Sequence, residues 1–334
     1  MREDIEPIIF AIETSCDETA VAILKGKNKL LSNLIYSQIE DHKIFGGVVP
    51  EIAARKHVEI LYKLSMTAFE EANIEPEDLD CVAVSYGPGL IGSLLIGSSF
   101  AKGMSLSLNK PLIGINHLIG HIYANFLEFP DLKPPFLTLL VSGGHTMIIM
   151  VKDYFDFEII GETLDDAAGE AFDKVARILD LGYPGGPSIE ELSRKAKTTY
   201  NFPKPLYNKG FDFSFSGLKT SVLYFVKDHP EANKADIAAS FQESIIDTLV
   251  HKTTKFALKE NIKDVVIAGG VAANSLLRSK MDNFKDQLNI YYPRLSLCTD
   301  NAAMIARAAY EKYIRKMFDD LDMDIIPNLG LTKV

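Results

Sequence analysis

Three cysteines (Cys16, Cys81, Cys298) among 334 residues are few and odd in number. They exclude a disulfide framework and point to a reduced, cytoplasmic compartment. No apolar run is expected to reach the roughly 18 residues of a membrane span. The start, Met1 to Pro7, is too acidic and too short to be a signal peptide before the apolar Ile8-Ile9-Phe10. Positive charge is in deficit: 35 Lys and Arg against 45 Asp and Glu give a net charge of -10, which weighs against a dedicated nucleic-acid binder. There is no low-complexity stretch and no flexible linker. The zincin pattern H-E-x-x-H is missing too, because His117 is followed by Leu118; without the glutamate base, a metalloprotease is disfavoured.

What is present is enough apolar residue (47%) to pack two domains. The chain reads as a duplication. Ile8–Glu13 and Thr19–Leu24 are strands around the polar turn Thr14-Ser15-Cys16-Asp17-Glu18. Phe136–Val141 and His145–Val151 repeat that grammar around Ser142-Gly143-Gly144. Each hairpin is followed later by a strand, a glycine turn and a helix: Asp80–Ser85 with Gly87 and Gly89, then Asp264–Ala268 with Gly269 and Gly270. Two α/β halves around a cleft are expected, with ligand where the glycine turns meet. The break falls at the prolines 130, 134 and 135, giving domains over 1–130 and 131–300, with a helix in 301–325 packing back on the first. Further helices are expected over Pro50–Ala72, Asp236–Lys259 and Asn301–Phe318, and an exposed acidic tail over 319–324.

Two features carry chemistry. His117 and His121 are one helical turn apart, so both imidazoles lie on one face about 5–6 Å apart at Cβ. With a distant carboxylate such as Asp300, they would make a two-histidine, one-carboxylate metal site with open positions. The stretch from Arg194 to Lys219 interleaves six bases with Tyr200, Phe202, Tyr207, Phe211, Phe213 and Phe215. That composition suits a phosphodiester and a stacked base, and equally suits a loop whose rings are core and whose lysines are solvated.

Longer motifs carry a resemblance. Ile12-Glu13-Thr14-Ser15-Cys16-Asp17-Glu18-Thr19, Gly46-Gly47-Val48-Val49-Pro50-Glu51, the histidine pair, Leu140-Val141-Ser142-Gly143-Gly144-His145-Thr146, Asp166 to Lys174, Tyr183 to Pro187, Phe213 to Lys219 and Ala268 to Asn274 together resemble the TsaD family, in its bacterial form. The resemblance implies an actin-like fold of the hexokinase and heat-shock ATPase superfamily, with two RNase H-like domains. It implies transfer of a threonylcarbamoyl group from threonylcarbamoyl-AMP to the exocyclic amine of the adenosine 3′ of the anticodon. The tRNAs concerned read codons beginning with A, and AMP is released. It also implies a metal on His117, His121 and Asp300, with iron favoured over zinc. Leu140, Val141, Ser142, Gly143 and Gly144 would line the AMP phosphate. Asp173 and Glu190 would accept from the ribose, Gly185 and Gly186 would lie under the adenine, and Asn274 would touch the nucleotide. Glu13 is the first choice, ahead of Asp17, for the carboxylate that orients or deprotonates the amine, and Cys16 reads as packing. The implied partners are tRNA, a paralogous subunit (TsaB) and a small P-loop ATPase (TsaE). The helix Pro50–Ala72 is a candidate dimer surface, its apolar face being equally suited to the core, and Lys43–Lys56 with Arg194–Lys219 would flank the tRNA entrance. Alternatives are O-carbamoyl transfer to a small molecule, a sugar or acid kinase of the same superfamily, and a non-catalytic scaffold paralogue. A kinase would not need the histidine pair, and a scaffold would be expected to lack both the pair and the nucleotide motifs.

Overall fold

The computed structural model describes residues 6–331, so the acidic start Met1–Ile5 lies outside the described residues. The chain forms two compact units, Met1–Leu132 with Thr299–Val334, and Lys133–Cys298. The border lies two residues from the expected one. The return at Thr299 puts Asp300 in the same unit as the histidine pair.

The first unit holds β1 (Ile8–Glu13), β2 (Glu18–Lys25), β3 (Lys29–Ser37), β4 (Cys81–Gly87) and β5 (Leu112–Asn116), with α1 (Ile39–Lys43), α2 (Pro50–Ala72), α3 (Ile91–Leu108) and α4 (His117–Glu128). Its sheet order is β3-β2-β1-β4-β5, with β1/β2 and β2/β3 antiparallel and β1/β4 and β4/β5 parallel. The second unit holds β6 (Phe136–Val141), β7 (Thr146–Asp153), β8 (Asp156–Glu162), β9 (Asp264–Ala268) and β10 (Asn289–Tyr291). Its helices are α5 (Ala168–Ile178), α6 (Gly185–Ser193), α7 (Ser216–Asp228), α8 (Lys234–Lys259) and α9 (Ser275–Asp282). Its sheet, β8-β7-β6-β9-β10, repeats the first in order and in strand direction. The duplication read from the hairpins is therefore a duplication of topology.

The last helix, α10 (Ala302–Ile314), returns to the first unit and packs on α4, β1 and β2. Strand parity decides what it meets. Phe10 and Ile12 join the core with Leu61 and Phe69 of α2. Side chains alternate across a strand, so Ile9, Ala11 and Glu13 point to the opposite face.

Two expectations need correction. Helix α3, at 18 residues, is long and apolar enough to cross a membrane by length and composition, although a third of it is buried and it carries Lys102. It packs on β4 and α2, and its Lys102 donates to the Met323 carbonyl at 2.6 Å. The acidic tail is exposed only in part: Asp319 pairs with Leu112 in an antiparallel bridge, and its carboxylate accepts from the Gly114 N–H at 2.8 Å.

Candidate active site

In the first unit, β5 ends at Asn116, whose side chain accepts from the Leu118 N–H at 2.9 Å and starts α4. His117 is therefore the first helical residue, and His121 follows one turn on. Asn301 caps α10 in the same way, accepting from the Met304 N–H at 3.0 Å, and Asp300 precedes that cap. One Asp300 oxygen lies 3.1 Å from His121 Nε2 and 3.5 Å from His117 Nε2. The three donor atoms fall within 4.8 Å of one another, the only such cluster of three or more His, Cys, Asp or Glu among the described residues.

Glu13 arrives by the strand parity described above. Its Oε2 lies 3.0 Å from His117 Nδ1, and its Oε1 accepts from the Ser15 N–H at 2.5 Å. The Ser15 hydroxyl also lies 3.1 Å from His117 Nδ1. With Nδ1 occupied, Nε2 is left to face Asp300. A carboxylate behind a histidine is the usual way to fix a ligand ring and raise its basicity. Burial opposes charging His117, but Glu13 and then Asp300 outweigh it and raise the imidazolium pKa to about 9. His121 is different. It is 1% exposed, and among the described residues neither ring nitrogen has an aligned hydrogen-bond partner, although Nε2 is 3.1 Å from Asp300. An orphaned buried imidazole beside a carboxylate and a second, oriented imidazole is a donor set that fits a divalent metal.

Sequence reasoning took Glu13 as the carboxylate that touches the amine. The structure buries it completely and engages it with His117 and Ser15. Asp17 lies nearer the surface, at 9% exposed. Two residues went unread. Glu18, in the same motif, is pushed by burial up to about 8, against the Ser37 hydroxyl that donates to it. His57 on α2 is fully buried, with Nδ1 2.7 Å from the Thr19 hydroxyl and Nε2 2.9 Å from the Cys16 carbonyl, and so pins the turn. Burial raises the Cys16 thiol well above its ordinary range, in keeping with packing.

The second unit carries the glycine turn. Leu140 and Val141 are buried in β6. The turn closes through Ser142 N–H donating to the His145 carbonyl at 2.8 Å and His145 N–H donating to the Ser142 hydroxyl at 3.2 Å. An added Cβ on Gly143, Gly144, Gly186 or Gly270 would meet nothing within 4 Å. By contrast, one on Gly169 would strike the Ser142 carbonyl at 2.6 Å, and one on Gly185 the Asp173 Cα at 2.6 Å. These close approaches bring the start of α5 against the turn and the start of α6 against α5. Asp173 accepts from the Gly185 N–H at 2.7 Å. Glu190 accepts from Ser275 Oγ at 2.5 Å and pairs with Arg194 at 3.0 Å. Asn274 caps α9 through the Leu277 N–H (3.0 Å) and donates to Gln242 (2.8 Å). Its side chain therefore takes the N-cap role.

Residues 29–307 match the profile of the family described as TsaD: tRNA N6-adenosine threonylcarbamoyltransferase. The chain belongs to the TsaD family. A protein of that name from Kosmotoga olearia is 56% identical over 329 residues, covering 98% of this chain and 99% of its own. One from Clostridium botulinum (strain Kyoto / Type A2) is 50% identical over 339 residues, covering 99% of each. Among solved structures, HypF of T. kodakarensis superposes with a TM-score of 0.66 at 15% identity, covering 94% of this chain, which spans 48% of that one. Component A of the (R)-2-hydroxyglutaryl-CoA dehydratase of Acidaminococcus fermentans gives 0.56 at 18% identity, covering 92% of this chain and 99% of its own. These likenesses fix the fold as actin-like.

The basic, aromatic stretch of this TsaD-family chain divides on inspection. Phe202, Phe213 and Phe215 are core. Tyr200 packs on Phe225, Tyr207 stacks on His251 at 4.2 Å, and Phe211 meets Phe256 edge-on. Lys204 pairs with Asp247 and Lys219 with Asp166. Lys195, Lys197 and Lys209 remain exposed. The rings thus serve the fold, and the solvent-facing charge is smaller than the composition suggests.

Proposed function

We propose that the chain carries out the transfer for which its relatives are named, at the two places described above. The amine of the adenosine 3′ of the anticodon attacks the carbamoyl carbonyl of threonylcarbamoyl-AMP. A C–N bond forms, the C–O bond to phosphate breaks, one amine proton is lost, and AMP leaves. The observation that carries this reading is the convergence of His117, His121 and Asp300, with Glu13 behind His117. A divalent metal on those three, iron before zinc, would supply Lewis-acid polarisation and orientation of the threonylcarbamoyl group.

The rest falls to the chain. Ser142, Gly143 and Gly144 offer open backbone and a hydroxyl suited to the phosphate, whose departure N–H donors ease. Gly185 and Gly186 let α6 begin against Asp173, which with Glu190 supplies acceptors for a ribose, and Asn274 holds the α9 start beside them. Asp17 is the carboxylate we assign to the amine proton, because Glu13 is committed to His117 and Glu18, pushed up to about 8, is mostly protonated at neutral pH. An aromatic amine needs little deprotonation before attack, so a late acceptor suffices.

The stripe Val58, Tyr62 and Met66 on α2, exposed at 61%, 63% and 39%, lies on the helix neighbouring Ile91 and Leu95 of α3, at 65% and 53%. An apolar face of this kind marks a protein partner, and we assign it to the paralogous subunit TsaB. That subunit and TsaE would help an acidic chain engage tRNA in the cytoplasm.

The test is reconstitution. Purified chain, partners, a threonylcarbamoyl-AMP source and unmodified tRNA are combined, and the nucleosides are read by mass spectrometry. Threonylcarbamoyladenosine made only with this chain supports the reading. Absence of product with partners and metal verified would refute it and turn attention to small-molecule acceptors.

A further inference from the structure

Among the described residues, Arg307 is the largest of the fully buried side chains, at 0% exposed. It sits on α10, two helical turns from Asp300. Its Nη2 donates to Glu311 at 2.9 Å, and Glu311 is shared with Arg315 at the helix end. Its Nε and Nη1 have no hydrogen-bond partner among the described residues. Three rings surround it instead: the guanidinium carbon lies 5.9 Å from the Tyr123 centroid, 5.2 Å from Phe126 and 5.3 Å from Tyr310. Tyr123 and Phe126 belong to α4, the helix that carries both histidines. Ring faces at that range attract a flat cation and stand in for acceptors on its unpaired N–H groups.

A buried ion pair is a poor way to gain stability, because apolar residues of similar size do as well or better. What a flat, caged, charged group does supply is one orientation. The two helices pack closely at Gly120, between the histidines, where an added Cβ would come within 2.9 Å of Ile305 and 3.2 Å of Met304 on α10. That contact sets the spacing but leaves rotation about it open. Arg307 supplies a second point.

We propose that Arg307 is a positioning residue that fixes the crossing of α4 and α10, and through it the place of Asp300 relative to His117 and His121. The inference rests on the metal reading given above. It opposes simple electrostatics in sign. A cation about 10 Å along the helix from Asp300 repels a divalent ion, so its removal alone would tighten metal binding. Loss of the crossing weakens it.

The experiment uses the full chain freed of metal and titrated with Co²⁺ as the probe. The readouts are the visible absorption of the bound ion, its dissociation constant, and the melting temperature of the metal-free protein. The variants are R307M, which leaves Glu311 paired with Arg315, and R307K, which keeps the charge without the flat fork. R307M is expected to bind Co²⁺ about tenfold or more weakly, in the range seen when supporting residues around a metal are lost. Its absorption should be altered and its melting temperature equal or higher. R307K should weaken binding less. Unchanged or tighter Co²⁺ binding by R307M would overturn the proposal. If R307M does not fold, unaltered affinity and absorption in R307K would overturn it. No binding by the unsubstituted chain would overturn the metal site and the clamp together, whereas binding there with unaltered binding in the variants overturns the clamp alone.

Discussion

Replacing Glu13 by Gln separates two roles for this carboxylate. The substitution keeps the shape of a fully buried side chain and removes its charge 3.0 Å from His117 Nδ1. In the metal-free protein, burial alone would lower the His117 pKa; Glu13 and then Asp300 raise it from the ordinary 6.5 to about 9. Because the folded value lies above the unfolded one, the stabilisation is fully present below about pH 6.5 and is lost as pH rises through about 9. At 1.36 kcal/mol per pKa unit it amounts to about 3 kcal/mol at most. The E13Q change would remove the larger favourable part, so the fall in metal-free stability between those pH values should flatten. A metal requires the neutral ring, so at neutral pH the unsubstituted protein should release about one proton per bound ion. E13Q should release less and bind about 10–100-fold more weakly. Urea denaturation of metal-free protein across pH 6 to 9.5, with Co²⁺ calorimetry in two buffers, measures all three quantities. If E13Q keeps the stability slope, the proton release and the Co²⁺ affinity but loses transfer, Glu13 acts on the amine and the assignment made here is wrong.

Other substitutions follow from the same geometry. His121→Ala should abolish Co²⁺ binding and transfer while the circular dichroism of the folded chain is retained, since the ring makes no aligned hydrogen bond. Gly143→Val should leave the melting temperature unchanged, because nothing lies within 4 Å of its Cβ, yet weaken AMP binding by tenfold or more in calorimetry. Gly269→Ala should instead destabilise by about 2 kcal/mol or more in urea, since φ is +88° and the Val141 carbonyl would lie 2.4 Å away. Burial would raise the Asp165 carboxyl, but hydrogen bonds from Ser214, Ser216 and the Phe215 N–H outweigh it and hold it below 3.8. Its stabilisation is therefore present above that pH and lost as pH falls through the folded value. Asp165→Ala should cost about 1–2 kcal/mol at neutral pH, as for a helix cap. Tyr62→Glu should abolish co-elution with the paralogous subunit without altering Co²⁺ binding.

Local pattern made much of the fold legible. Both central hairpins, the first strand–glycine–helix unit, the strand and glycine turn of the second, and α2 lie where periodicity and turn residues put them. The edge strands β3 and β8 went unread because an edge is only half buried: apart from the buried Ser32, β3 is a mix of exposed and intermediate residues, and no clean alternation marks it. The helix expected directly after Gly269-Gly270 starts later: Gly270–Ala273 is a short 3₁₀ turn and α9 begins at Ser275, because Asn274 is extended and caps that start. α10 stops at Ile314, before Lys316 at φ 58°. At the site, the histidine pair is a local signal and was read as one. The partnership of Glu13 with His117 spans 104 residues, and no spacing rule reaches that far. The aromatic stretch misled for a related reason, because composition cannot tell a ring against a base from a ring against Phe225 or Phe256.

On the function proposed above, the duplication also explains why the two halves would divide the chemistry. Both place a turn after their first strand, but fill it oppositely. In the first half the turn is made of side chains, and glycines elsewhere press on it. A Cβ on Gly97 would lie 2.2 Å from the Thr14 hydroxyl, and one on Gly89 would lie 2.5 Å from the Ser15 carbonyl. That crowding, with His57 behind Cys16, leaves Glu13 and Ser15 little freedom, which suits the fixing of a ligand ring. In the second half the turn itself is glycine, crowded from behind by Gly169 and Gly269 and open in front at Gly143 and Gly144. Open backbone offers N–H donors at close approach, which suits a phosphate and not a metal. Exchanging the two turn sequences should therefore abolish both functions rather than trade them, because the supporting glycines and His57 would stay behind in the wrong half.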